Sequence, residues 1–108
     1  MKKLLVAASL LWAVPAVVWA GGDIAKGKEL STSCAACHGA DGNSTIPTNP
    51  ILAGQYESYL VKALQDYKSG ARTNAIMAGF ATALTDQDIR DLAAYFADQE
   101  SNLSVPPR

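Results

Sequence analysis

Two cysteines and a histidine sit within five residues, Cys34-Ala35-Ala36-Cys37-His38, and the chain has no other cysteine or histidine. In a short helical segment, cysteines three apart lie on one side. Their thiols can then each add to one vinyl group of a porphyrin. His38, immediately after, is carried over the ring face, where its imidazole can ligate iron. C-x-x-C-H is the pattern of c-type haem attachment, and the small Ala35 and Ala36 leave a macrocycle room. Two rival chemistries fit less well. A C-x-x-C redox dithiol wants a βαβ setting, and this chain has no convincing run of alternating residues. A zinc site wants a fourth ligand, and the sequence offers no third cysteine and no second histidine.

A six-coordinate iron needs a second ligand from the opposite side. Met77 is the one methionine besides Met1, and it lies 39 residues after His38. Its surroundings, residues 71–84, read as mostly loop with a short helix near Ala75. A thioether suits haem iron and raises its potential relative to harder ligands. The competing role is core filling, which is the commoner one for methionine. In that case the iron would be open or bound by something else, and an open iron would suit binding of gases or other small ligands.

Helices must hold these groups. Asp23 can cap a first helix over residues 24–33, with Ile24, Gly27 and Leu30 at helical spacing. Residues 39–50 are rich in Gly, Asn, Thr and Pro and read as loop. Tyr56, Tyr59, Leu60, Ala63, Leu64 and Tyr67 recur at three- and four-residue steps. They predict a second helix over residues 54–68, stopped by Ser69-Gly70. Thr85-Asp86-Gln87-Asp88 is a capped, acidic helix start. It opens a last helix to about Gln99, with Ile89, Leu92, Ala93, Tyr95 and Phe96 on one face. Loops this long in so small a domain ask for something to wrap around.

The N-terminus reads as a separate, removable segment. Lys2 and Lys3 precede an apolar stretch from Leu4 to Val18, and Val18-Trp19-Ala20 supplies a small-residue cleavage site. The stretch is shorter than the roughly 20 residues that span a bilayer, and Pro15 weakens it. Residues 1–20 are thus expected to be a cleaved signal peptide, and residues 21–108 one exported, periplasmic domain. Of 108 residues, loss of the first 20 leaves 88, with 7 of the 9 basic residues and all 10 acidic ones, formally −3. No basic patch suggests nucleic acid. No nucleophile–base pair or spare histidine suggests catalysis on a substrate, so an enzyme is not expected.

The mature chain resembles the bacterial class I cytochromes c, especially one half of the diheme cytochrome c4 type and the single-haem cytochromes c-553. Beyond the haem motif, the resemblance rests on Asn49-Pro50-Ile51-Leu52-Ala53-Gly54-Gln55, Tyr59-Leu60, Met77 and Asp91-Leu92-Ala93-Ala94-Tyr95-Phe96. It implies an all-α fold in which three to four helices and long loops surround one haem c, covalent through Cys34 and Cys37. His38 and Met77 would be the axial ligands. The Pro50 carbonyl would accept the second ring N–H of His38 and strengthen its donation to iron. Gly27 would let the first helix cross closely over the last, near Leu92 and Tyr95. Leu52, Leu60 and Leu64 would line the haem pocket, and Arg72 or Asn74 would touch a propionate or the Met77 sulfur. The implied function is single-electron transfer between transient redox protein partners, by a monomer or a homodimer. The rivals are a haem subunit of a larger redox complex and an open-iron ligand-binding sensor. A single C-x-x-C-H departs from the two-haem pattern of cytochrome c4.

Overall fold

A computed structural model describes residues 1–13 and 21–104. The expected cleavage point after Ala20 and the proline-rich tail fall on residues outside that description. Among the described residues there are five α-helices and no strand, and no helix is long and apolar enough to cross a membrane.

Helix α1 runs Ile24–Leu30 and continues as a single 3-10 turn, Ser31–Ser33. Asp23 caps it, with its Oδ1 accepting the Lys26 N–H at 3.1 Å, which satisfies one of the donors a helix start leaves open. Ser31, Thr32 and Ser33 each return a hydroxyl to the carbonyl three residues back. Such side-chain competition with the backbone tightens a final turn into 3-10 geometry. Helix α2, Ala35–His38, follows directly and ends at Gly39.

Helix α3 spans Glu57–Ser69 and starts later than periodicity predicts. Residues 53–54 turn and Tyr56 is extended instead, with the Gly54 N–H on the Phe96 carbonyl at 3.0 Å. Tyr56 therefore precedes the helix and is 80% exposed rather than part of its apolar face. At the other end Gly70 adopts a left-handed conformation, φ 85°, which closes the helix as expected of a glycine there. Helix α4, Ala75–Ala81, occupies a stretch expected to be mostly loop. Helix α5, Asp86–Ala97, opens with a full capping box between Thr85 and Asp88. Its end, at Ala97, falls short of Gln99.

The core is the crossing of α1 and α3 over α5. Ile89, Leu92, Ala93, Tyr95 and Phe96 of α5 are buried, with Leu60 of α3 against them. Burying a Leu or Phe is worth roughly 1.5–3 kcal/mol each. Gly27 sits where α1 meets α5: a Cβ there would overlap the Asp91 carbonyl oxygen and come within 2.7 Å of the Tyr95 Cβ. The close approach needs a residue without a side chain. It lies over Asp91 and Tyr95, one residue from the expected Leu92. Gly22 makes a second such approach, to the Arg90 carbonyl, that spacing alone did not reveal. Ile24, placed on the inner face of α1 by periodicity, is instead 44% exposed. The inner contact is made by backbone at Gly22 and Gly27, so no large side chain is required there.

One charge is buried in this crossing. The Asp91 Oδ1 accepts the Asp23 N–H at 2.7 Å and the Gln87 Nε2 at 2.7 Å. The carboxylate thus ties the cap of α1 to the side of α5. Tyr95 reaches the other way and donates its hydroxyl to the Ala40 carbonyl at 2.9 Å. That bond anchors the loop after α2 to the core.

Candidate cofactor site

Cys34, Cys37 and His38 are positioned by one turn of chain. The His38 and Gly39 N–H groups return to the Cys34 and Ala35 carbonyls, both at 2.9 Å. These bonds hold Cys34 and Cys37 on one side of α2. Both thiols are unpaired. Burial pushes the Cys34 thiol above its usual range, and the Ser33 hydroxyl beside it pulls part of the way back.

His38 is buried. Its Nδ1 lies 2.9 Å from the Pro50 carbonyl oxygen. A carbonyl can only accept, so Nδ1 carries a proton, and in the neutral ring Nε2 then keeps its lone pair. A histidine held this way is oriented and made more basic toward a metal. The chain of contacts behind Pro50 was not legible from residue types. The backbone of Ile46–Asn49 turns with the Asn49 N–H on the Ile46 carbonyl at 3.0 Å, and Pro47 presets that turn. The Asn49 side chain then reaches back to the Cys37 carbonyl at 3.0 Å, which also receives the Ser44 hydroxyl at 3.1 Å.

These groups open onto a cavity of 310 Å³. Cys34, Cys37, His38 and Pro50 line it from one stretch of chain, and Met77 lines it from α4. Leu52, Leu60 and Leu64 also contribute to the wall. The structure therefore brings all five candidate site residues to one cleft. Met77 sits in the first turn of α4 rather than in a loop. Asn74 caps that helix, with its Oδ1 accepting the Met77 N–H at 3.0 Å, and its side chain lines the same cleft. Arg72 stacks over the Tyr67 ring at 4.8 Å and points Nη1 to the Tyr59 hydroxyl at 3.5 Å. A guanidinium on an aromatic face is a favourable, orienting contact.

The donor set fits haem c. It offers two thiols three residues apart, an imidazole with Nε2 free, and a thioether in the same cleft. The wall is otherwise almost uncharged, with Arg72 its one permanent charge. It carries Tyr59, Ile76 and Phe80 at 49%, 69% and 47% exposure. An apolar cleft with a few converging polar groups is the usual form of a cofactor pocket.

The sequence model of the cytochrome c family matches residues 24–99. The chain belongs to the cytochrome c family. Membership implies covalently attached haem c. Cytochrome c4 of Pseudomonas aeruginosa is 48% identical over 105 residues, covering 97% of this chain and 52% of that protein. Cytochrome c-554(548) of Halomonas halodenitrificans is 42% identical over 82 residues, covering 73% of this chain and 99% of that one. The crystal structure of reduced recombinant cytochrome c4 from Pseudomonas stutzeri superposes with a TM-score of 0.73 at 43% identity, covering 77% of this chain and 48% of that one. This cytochrome c thus has the all-α class I fold, and it spans about half the length of the cytochrome c4 relatives it matches.

Proposed function

We propose that this cytochrome c is an exported, periplasmic carrier of single electrons with one haem c per chain. Cys34 and Cys37 would hold the porphyrin through two thioether bonds, and His38 and Met77 would ligate the iron. The observation that supports this most directly is the cleft itself, which both thiols and a hydrogen-bonded imidazole line from one stretch of chain and Met77 lines from α4. Bound haem c would supply a one-electron Fe(III)/Fe(II) couple. The chain's own part is to hold both ligands still. His38 is fixed by its bond to Pro50, and Met77 by a helix whose first turn Asn74 caps. A low-polarity wall from Leu52, Leu60, Leu64 and Phe96 disfavours the added charge of the oxidised state and pushes the potential up.

Redox partners would dock transiently where the cleft meets solvent, through a small interface. Ile76 and Phe80 stand exposed there, one helical turn apart on α4. The same exposure favours a second reading, a haem subunit seated in a larger redox complex. Purification as a free monomer or homodimer would count against that reading.

The optical spectrum of the oxidised protein tests the ligation. Wild type should show the weak band near the red end that a methionine–Fe(III) bond produces, and Met77→Ala should lack it while keeping covalent haem. An unchanged band in Met77→Ala would remove Met77 from the iron and leave core filling as its role.

A further inference from the structure

We infer that Asn49 is a positioning residue that holds the Pro50 carbonyl on His38 and so sets how strongly His38 donates to the iron. This rests on the ligand role proposed above for His38. The geometry is a closed clamp between two short pieces of chain. From one side, the Cys37 carbonyl accepts the Asn49 Nδ2 at 3.0 Å. One residue further along each strand of the clamp, the His38 Nδ1–H donates to the Pro50 carbonyl at 2.9 Å. Consecutive residues 37 and 38 are thus bonded to consecutive residues 49 and 50, in opposite senses.

The Pro50 carbonyl is aimed from both sides. After it, the Leu52 and Ala53 N–H groups bind the Gly42 carbonyl at 2.8 and 3.2 Å; before it, the anchor is Asn49. Proline has no N–H with which to anchor its own position, and Pro50 itself is exposed. The turn over residues 46–49 sets the approach, since the Asn49 N–H closes it on the Ile46 carbonyl at 3.0 Å. On the N-terminal side of Pro50, the Asn49 side chain connects that turn's end to the segment carrying His38. Ser44 reaches the same Cys37 carbonyl at 3.1 Å, but its hydroxyl lies equally close, 3.1 Å, to the Ile46 carbonyl. One hydroxyl proton is shared between two acceptors, whereas an Asn49 amide hydrogen is committed to one. Asn49 is therefore the stronger tie.

The consequence for chemistry follows from the Nδ1 bond. A shorter, straighter Nδ1–H···O=C contact makes Nε2 a better donor, which stabilises the oxidised metal and lowers the potential. Releasing Asn49 lets the carbonyl drift and reverses this. A merely structural contact would alter stability and leave the potential alone.

The test compares holoprotein of wild type, Asn49→Ala, Asn49→Asp and Ser44→Ala. Two readouts are taken: the midpoint potential, and the exchange rate of the His38 ring N–H in the reduced, diamagnetic protein. Asn49→Ala should raise the potential and speed exchange about fivefold, the factor for one neutral hydrogen bond of about 1 kcal/mol. Ser44→Ala should shift both in the same direction by less. If Asn49→Ala fails to accumulate, Asn49→Asp keeps the shape and loses the donor, so its ring N–H should still exchange faster. Unchanged exchange and potential in Asn49→Ala, or unchanged exchange in Asn49→Asp, overturns the assignment. Wild-type protein lacking covalent haem would instead overturn the proposed function, a distinct failure visible before any variant is made.

Discussion

The crossing of α1 over α5 and the wall made by α3 and α4 solve opposite problems. At the crossing, backbone touches backbone at Gly22 and Gly27. The buried Asp91 there finds two donors. Apart from the buried Arg90 Nε, which has no hydrogen-bond partner among the described residues, its polar groups are satisfied within the joint. The α3–α4 wall faces a cleft, and Tyr59, Ile76 and Phe80 remain about half exposed or more. One region is a finished joint; the other is a surface shaped for an occupant. The difference separates the residues that make the fold from those that serve the cofactor, and substitutions in the two regions should fail in different ways.

The largest effect is expected at the joint. In Gly27→Ala, the new Cβ would meet the Asp91 backbone, which cannot rotate aside. Overpacking of this kind costs about 3 kcal/mol, to be read from denaturant unfolding of the holoprotein. A loss well below 1 kcal/mol would show that α1 can lift away freely. Asp91→Ala comes next. It leaves the Asp23 N–H and the Gln87 amide without their acceptor, at about 2 kcal/mol. Asp91→Asn keeps one carbonyl oxygen and should recover part of the loss.

A smaller effect is tied to pH at the start of α5. The Thr85 backbone N–H and then its hydroxyl hold the Asp88 carboxyl below the usual range. Because its folded value is depressed, Asp88 contributes stability that is full above the unfolded carboxylate value. That contribution is lost as the pH falls through the folded value. Asp88→Asn should therefore be less stable than wild type at neutral pH, and the gap should close as acid protonates Asp88. A gap that stays constant down to that range would assign the effect to packing. The smallest change is expected on the open wall. Ile76→Ser should leave holoprotein stability within about 0.5 kcal/mol, since that side chain faces solvent, while slowing exchange with redox partners.

The same contrast explains what could be read from sequence. Cys34, Cys37 and His38 act within one turn of chain, so their spacing is their geometry. The capping box at Thr85 is equally local. Met77 can be singled out because no other methionine competes for its role, yet α4 is hard to read: over seven residues Ile76, Met77 and Phe80 are too few to establish a helical period, and Gly79 sits among them. The joint was only half legible. Gly27 carries a family resemblance, but Gly22 lies just before the helix and Asp91 looks like any surface acid until Asp23, 68 positions away, is placed beside it. Asn49 was hidden likewise. Its type and place in a polar loop suit a turn, and only the folded chain shows its side chain returning to Cys37. Ile24 and Tyr56 mislead in the opposite direction, because apolar periodicity marks residues able to be buried and does not say where a partner surface ends.

Covalent attachment of one haem through Cys34 and Cys37 underlies every role proposed for the cleft. The intact mass of the purified, exported protein measures this directly. The expected value is that of the chain from Gly21 onward plus one haem, with both thiols unavailable to alkylation. A mass equal to the bare polypeptide, with both cysteines free to react, would contradict it.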